Sequence, residues 1–166
     1  MSDIDKCKCV PHAGADTCEL RVREDLNPVC PTNGIAGKRV DKQTIKSLLG
    51  LPLYELRSDQ YFFCRAGDCP TVYYSTDGTQ IFEEVDLRER VYQKHIDDES
   101  IFVCYCFQHT PAEIRQELRD TGNSTVAASI TRGIQAGQCG CDIRNPQGSC
   151  CLGNVNNFVK SLQVKQ

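Results

Sequence analysis

Apolar residues in the middle of the chain come in short runs, whereas in the last third they recur at helical spacing. Residues 61–64 and 71–74 are rich in aromatic and β-branched side chains, which favours β-strands. Asp77-Gly78 is a two-residue turn signal, and an apolar pair at 81–82 follows it, so a β-hairpin is expected here. Residues 101–103 predict one more short strand.

Three helices are predicted in the last third. The first begins at Thr110 with a capping box and a proline at its first helical position, and it should end near Gly122. The second is predicted to begin after Ser124 and to end at Gly137. The third continues from Cys151. Their apolar positions follow the helical period, with Val126, Ala127, Ile130 and Ile134 in the second helix and Leu152, Val155, Phe158, Val159 and Leu162 in the third.

Together these elements predict an α+β fold in three parts. Residues 1–29 are polar and are expected to form a flexible arm that contains cysteines. Residues 30–95 carry a short helix that begins after Asp41, followed by the β-hairpin. Residues 101–166 carry the helix-turn-helix and the C-terminal helix.

Composition is typical of a soluble globular protein. The chain has 166 residues, of which 40% are hydrophobic and 25% charged, and no apolar run reaches the roughly 18 residues that span a bilayer. A formal net charge of −3 argues against a general binder of nucleic acids or anionic membranes. The first residues lack the apolar stretch of a secretory signal, so a cytoplasmic location without membrane insertion is expected.

Cysteine is the abnormal component, at 12 of 166 residues, or about 7%. In a reducing compartment thiols stay free or bind metal, so the composition indicates metal binding rather than a disulfide framework. The cysteines fall into three groups: Cys7, Cys9, Cys18 and Cys30 near the start, Cys64 and Cys69 in the middle, and Cys104, Cys106, Cys139, Cys141, Cys150 and Cys151 in the last third.

The six cysteines of the last third are the strongest chemical signal. Two Cys-x-Cys pairs bracket the first two predicted helices, which fold the chain back so that the pairs can meet. Four converging thiolates suit Zn²⁺ and a [2Fe–2S] cluster equally by ligand type. The 32 residues between Cys106 and Cys139, numbers 107 to 138, exceed the roughly 12–20 that usually separate the pairs of zinc fingers.

Several motifs resemble known metalloprotein domains. CYCF at 104–107, TPAEI at 110–114 and AGQCGC at 136–141 are similar to the bacterioferritin-associated-ferredoxin-like [2Fe–2S] domain. CDIRNPQGSCCLG at 141–153, CPTNGIAGK at 30–38 and FCRAGDCPTVYY at 63–74 resemble the N-terminal domain of the CopZ-type copper chaperones. The resemblance covers roughly residues 30–160. It implies one [2Fe–2S] cluster, one zinc ion and one-electron chemistry that reduces Cu(II) to Cu(I).

Carried over to this chain, the resemblance implies that four of the six cysteines hold the cluster, beginning with the first Cys-x-Cys pair. Helix geometry favours Cys151 over Cys150, because Cys151 shares the apolar face of the third helix and Cys150 aligns with its polar face. Cys141 is preferred to Cys139, which directly follows the predicted helix end and can point away. The candidate cluster ligands are therefore Cys104, Cys106, Cys141 and Cys151, with Cys139 and Cys150 as alternates.

The resemblance also implies a zinc site built from two turns. Cys30 heads the first turn, and Cys64 and Cys69 flank the second. The family form has another cysteine in the first turn, at the position where this chain has Asn33. The fourth ligand therefore stays open, and its candidates are Asp68, Cys9, Cys7 and a water molecule.

Cys7 and Cys9 are candidate Cu(I) ligands, because a short Cys-x-Cys arm offers soft thiolates. The alternative, an arm that merely contains cysteines, has equal weight. Full chaperones of this type carry a further domain with a Met-x-Cys-x-x-Cys loop. The only methionine here is Met1, so a separate copper carrier is expected to deliver the metal.

The sequence and the resemblance together predict an electron-transfer protein of copper handling rather than a dedicated enzyme. Its expected partners are a copper transport ATPase or a separate copper carrier, and an electron-donor protein. Two other functions stay open. One is a ferredoxin-like partner of an unrelated enzyme, and the other is a structural interaction module that holds zinc alone.

Overall fold

The computed structural model describes residues 28–163, and its sheet is a four-stranded antiparallel meander. The predicted hairpin is confirmed, with its turn at Gly78, and the α+β class is confirmed with it. The helix predicted after Asp41 is present as α1 (Lys42–Leu48) and packs on the sheet through Ile45. The strands, in their order across the sheet, are β1 (Lys38–Val40), β2 (Tyr61–Phe63), β3 (Thr71–Ser75) and β4 (Ile81–Glu83).

Both faces of the central pair of strands are buried. Tyr61, Phe63 and Tyr73 point to one side, where they pack with Ile45 of α1 in the core of the sheet half. Phe62 and Tyr74 lie opposite each other in the register and point to the other side, with ring centroids 5.7 Å apart. Because neighbouring side chains alternate along a strand, the second face also receives the cysteine that follows β2.

The helical half contains α2 (Pro111–Thr121), α3 (Val126–Gln135), α4 (Cys141–Arg144) and α5 (Leu152–Gln163). The predicted capping box is confirmed. The Thr110 hydroxyl accepts from the Glu113 N–H at 3.2 Å, and the Glu113 carboxylate accepts from the Thr110 N–H at 3.0 Å. Gly122 ends α2 with φ 73°, a left-handed conformation that glycine adopts without strain.

Two predictions in the helical half need correction, and two elements of the fold had no prediction. The strand predicted at 101–103 is wrong, because the N–H groups of Val103 and Cys104 both donate to the His109 carbonyl and close a local turn. The residue that caps α3 is Thr125 rather than Ser124, although the Ser124 hydroxyl accepts from the Val126 N–H at 3.4 Å. Strand β1 and helix α4 were not predicted.

Hydrogen bonds and helix packing join the two halves. The Tyr73 hydroxyl of β3 donates to the Pro146 carbonyl at 2.6 Å. The Gln93 and Gln147 side chains meet at 2.5 Å, and α1 packs against α4. The loop between α4 and α5 is therefore anchored on the sheet.

Residues 1–27, and with them Cys7, Cys9 and nearly all of the predicted arm at 1–29, lie outside the described residues. Between residues 28 and 163, no helix is long and apolar enough to cross a membrane.

We expect Gly37→Ala to destabilise the sheet half. A Cβ atom at this position would lie 2.3 Å from the Tyr74 hydroxyl oxygen and 2.8 Å from the Phe63 carbonyl oxygen. Overpacking of this kind costs about 1–3 kcal/mol. The measurement is the thermal unfolding midpoint at fixed metal content.

The matched control is Gly153→Ala, where an added Cβ has nothing within 4 Å. This substitution in α5 should be neutral or should stabilise the protein by up to about 1 kcal/mol. Equal midpoints for the two variants would contradict the close approach at Gly37.

Candidate metal centres

Three buried cysteines of the sheet half converge on one point. The sulfur atoms of Cys30, Cys64 and Cys69 all lie within 4.8 Å of one another, and those of Cys30 and Cys69 are 3.9 Å apart. Two sulfurs on one tetrahedral zinc ion, with bonds of about 2.3 Å, would be about 3.8 Å apart. The spacing and the soft donor set therefore fit a single thiophilic ion.

Two tight turns bring these thiols together. In the first, the Cys30 N–H donates to the Ile35 carbonyl at 2.9 Å, and the Gly34 N–H donates to the Cys30 carbonyl at 2.8 Å. In the second, Cys64 continues from β2, with its N–H bonded to the Val72 carbonyl at 2.9 Å. The chain then turns back so that Cys69 faces Cys30.

Asn33 occupies the position at which the family resemblance predicts another cysteine. Its side-chain N–H donates to the Cys64 sulfur at 3.3 Å, and its side-chain oxygen accepts from the Ile35 N–H at 2.9 Å. Within residues 28–163, no fourth Cys, His, Asp or Glu joins the three thiols inside 4.8 Å, so Asp68 does not complete the set. Cys7 and Cys9 lie outside the described residues.

The surroundings of this site shift the pKa values of two of its thiols in opposite directions. Burial raises the pKa of Cys30, but hydrogen bonds from the backbone of Thr32 and Asn33 outweigh it and leave the pKa below its ordinary value. Burial raises the pKa of Cys64 above its ordinary value, although the positive charge of Lys94 opposes the rise. Cys30 therefore ionises more readily than Cys64.

Four cysteines of the helical half form a second centre, arranged as two pairs. The Cys106 and Cys141 sulfurs are 3.5 Å apart. Cys104 and Cys151 are both buried, and contact between their thiols lowers the pKa of Cys104 to about 7 and raises that of Cys151. One thiol of this buried pair is thus readily available as a thiolate.

The paired arrangement differs from the compact set at the first centre. In the described part of the chain, no three of the helical-half sulfurs lie within 4.8 Å of one another. A single tetrahedral ion needs four donors about 3.8 Å apart, whereas a group with two metal atoms can take two thiolates on each. The described thiols of the helical half therefore form two separate pairs rather than one compact set.

The remaining two cysteines of this half, Cys139 and Cys150, are exposed. Cys141 and Cys151, which the sequence favours as ligands, are less exposed. Cys141 is half-buried, and Cys151 is only 2% exposed. The helical-face argument therefore describes the burial of Cys150 and Cys151 correctly. The assignment of particular cysteines as metal ligands stays a prediction.

Two features of the second centre had no signal in the sequence. The Gly140 N–H, at the start of α4, donates to the Cys106 sulfur at 3.3 Å. Tyr105, between the first two candidate ligands, donates to the Arg90 carbonyl at 2.7 Å and accepts from the Tyr92 N–H at 2.9 Å. Tyr105 thereby ties the cysteine loop to the sheet half.

Comparisons with known proteins agree with this architecture. Residues 27–88 match a family model described as the zinc binding domain of CopZ. Over 146 residues the chain is 28% identical to the copper chaperone CopZ of Archaeoglobus fulgidus. The match covers 82% of this chain and 69% of that protein. The X-ray structure of the N-terminal domain of that protein has a TM-score of 0.64 and 25% identity, and the match covers 78% of this chain and 96% of the domain.

These findings confirm the predicted resemblance to the CopZ N-terminal domain and place a zinc-binding domain in the sheet half. The similarity of the helical half to the ferredoxin-like [2Fe–2S] domain stays a prediction.

We expect exposed and buried thiols of the helical half to react at different rates in metal-free, reduced protein. Cys139 and Cys150 should be alkylated first, because they are exposed, while Cys151, which is buried and whose pKa is raised by contact with Cys104, should react at least about tenfold more slowly. Mass spectrometry of proteolytic peptides after a timed pulse of iodoacetamide measures the order. Faster labelling of Cys151 than of Cys150 would contradict the described packing of α5.

Proposed function

We propose that this chain is an iron–sulfur and zinc-binding redox protein of copper handling. The observation that carries the proposal is the arrangement of four helical-half thiols in two pairs, beside a separate three-thiol site. The relation to a protein named copper chaperone CopZ supplies the link to copper.

Cys104, Cys106, Cys141 and Cys151 are proposed to hold a [2Fe–2S] cluster, since four thiolates are its usual ligands. When bound, the cluster would supply one-electron transfer, which would reduce Cu(II) to Cu(I). The chain around the thiols excludes water, as the burial of Cys104 and Cys151 indicates. The Gly140 N–H favours negative charge on the Cys106 sulfur, and hydrogen bonds to sulfur are one of the ways in which proteins set reduction potential.

Cys30, Cys64 and Cys69 are proposed to hold zinc in the sheet half. The matched zinc-binding family and the convergence of the three thiols support this assignment. An ion shared by the two turns would fix the segment before β1 against the end of β2. In this proposal the zinc site and the redox centre use different cysteines.

The proposed partners follow from the copper role. Cu(I) would pass to a copper transport ATPase or to a separate copper carrier, and an electron-donor protein would resupply the electron. An electron-transfer protein with these partners needs no substrate pocket of its own. The proposed division into residues 30–95 and 101–166 separates the zinc and cluster sites.

The first experiment is a visible spectrum of anaerobically purified protein, with iron, zinc and sulfide counted per chain. The proposal predicts a red-brown solution with about two irons and one zinc. A colourless protein that takes up only zinc after anaerobic reconstitution would favour the structural interaction module. A coloured protein that does not reduce Cu(II) would instead favour a ferredoxin-like partner of an unrelated enzyme.

Single cysteine substitutions test whether the two centres are separate. Cys104→Ser should remove the visible absorption and bound iron while leaving zinc, and Cys64→Ser should release zinc while leaving the iron. Cys150→Ser is the matched control, because this exposed thiol lies next to the buried Cys151 and should leave the spectrum unchanged. Equal loss of iron in Cys104→Ser and Cys64→Ser would contradict the two-centre proposal.

A further inference from the structure

In the part of the chain that the structure describes, the three-thiol site offers one protein ligand fewer than a structural zinc site requires. Structural zinc is almost always bound by four protein ligands in a tetrahedron. Within the range 28–163, the side chains that could bind an ion here are Cys30, Cys64 and Cys69. A zinc ion held by these three would need its fourth ligand from elsewhere.

Asn33 is placed so that it does not fill the vacant position. Its nitrogen is a donor to the Cys64 sulfur, at 3.3 Å, and an amide N–H offers no lone pair to a metal. Its oxygen is held by the Ile35 N–H at 2.9 Å, on the backbone of the same turn. The side chain therefore acts on the sulfur of a ligand and is not itself a ligand.

We propose that the Cys30, Cys64 and Cys69 site is a cargo site for Cu(I), which replaces zinc there and is bound by the three thiolates alone. The inference rests on the proposed copper role and names the site at which copper is held. It moves the copper site from the candidate arm, Cys7 and Cys9, to the folded sheet half.

The preference follows from coordination chemistry. Cu(I) is a soft, closed-shell ion that thiolates select, and it is satisfied by two or three of them. Zn²⁺ prefers a tetrahedron, and at this site it would keep a position for an exchangeable ligand. A site with three soft donors thus fits Cu(I) completely and zinc incompletely.

Exchange of zinc for Cu(I) makes the site more negative, so its surroundings must compensate the added charge. Three thiolates give a net charge of −1 with Zn²⁺ and of −2 with Cu(I), and buried negative charge is costly unless it is compensated. Lys94 lies in the same hollow as Cys69, so its positive charge compensates part of it. Its ammonium is held in place by a 2.6 Å hydrogen bond to the Ala66 carbonyl, on the turn between Cys64 and Cys69. The Asn33 N–H adds a second favourable dipole at the Cys64 sulfur.

An approach from solvent exists on the Cys69 side. Cys69 borders an open hollow of about 300 Å³, whose charged lining includes Lys94 and His95 together with the carboxylates of Asp68, Glu83 and Glu84. A hollow of this size admits a thiolate of a copper carrier or of a small thiol. In the exchange, three sulfur–zinc bonds break and three sulfur–copper bonds form. Zn²⁺ leaves with its external ligand, and no electron is transferred.

The test is an anaerobic titration of the zinc-loaded full chain with Cu(I), buffered by bathocuproine disulfonate, while released zinc is measured with 4-(2-pyridylazo)resorcinol. We expect one zinc ion to be released for each Cu(I) bound. X-ray absorption of the product should show three sulfur neighbours around copper. Zinc retained while Cu(I) binds elsewhere, or copper with only two sulfur neighbours, would overturn the proposal.

Matched variants at one position isolate the ligand count. Asn33→Cys places a fourth thiol in the turn, so it should keep its zinc until about tenfold more free Cu(I) is present than the native chain requires. Asn33→Ala removes the hydrogen bond to Cys64 without adding a ligand, so it should still release zinc to Cu(I). Release from Asn33→Cys at the same Cu(I) level as the native chain would contradict the proposal.

The arm and the cluster are tested separately. The double variant Cys7→Ser/Cys9→Ser should still release one zinc ion for each Cu(I) bound. If this variant no longer exchanges the two ions, copper is assigned to the arm. Zinc release is measured without reference to iron or to Cu(II) reduction. Failure of the electron-transfer proposal and failure of the cargo site therefore give different results.

Discussion

The pairing of β2 with β3 is the constraint on which the rest of the structure depends. Its register places Tyr61, Phe63 and Tyr73 against α1, and it directs Phe62, Tyr74 and the following Cys64 to the opposite face. A shift of one residue would exchange the faces, so the aromatic core and the three-thiol site would be lost together. The same strand pair thus specifies a hydrophobic core on one side and a metal site on the other.

The sheet also supports the second centre. The loop that separates Cys141 from Cys150 and Cys151 is fastened to β3 by the hydrogen bond from Tyr73 to Pro146. Tyr105 makes a second connection, to the backbone at Arg90 and Tyr92. The candidate ligands of the helical half are therefore positioned partly by residues far from them in sequence.

Sequence reasoning succeeded where the determinants are local. The capping box at Thr110 and the helical period after Cys151 involve only neighbouring residues, and both were predicted correctly. Strand β1 escaped prediction because two of its three residues are charged and its strand character comes from pairing with β2. Helix α4 has only four residues and is held by tertiary packing on α1. The donor role of Asn33 depends on a sulfur atom 31 residues away, which no local pattern reveals.

The two thiol pairs of the helical half join distant parts of the chain. Cys106 and Cys141 are 35 residues apart, and both α2 and α3 lie between them. A cross-link that closes a loop of this length removes roughly 4 kcal/mol of conformational entropy from an unfolded chain. Any group bound by both pairs would close this loop and the larger one from Cys104 to Cys151. The stability of the α2–α3 hairpin would then depend on the chemical state of four sulfur atoms. Release of the bound group would restore conformational entropy to the unfolded chain.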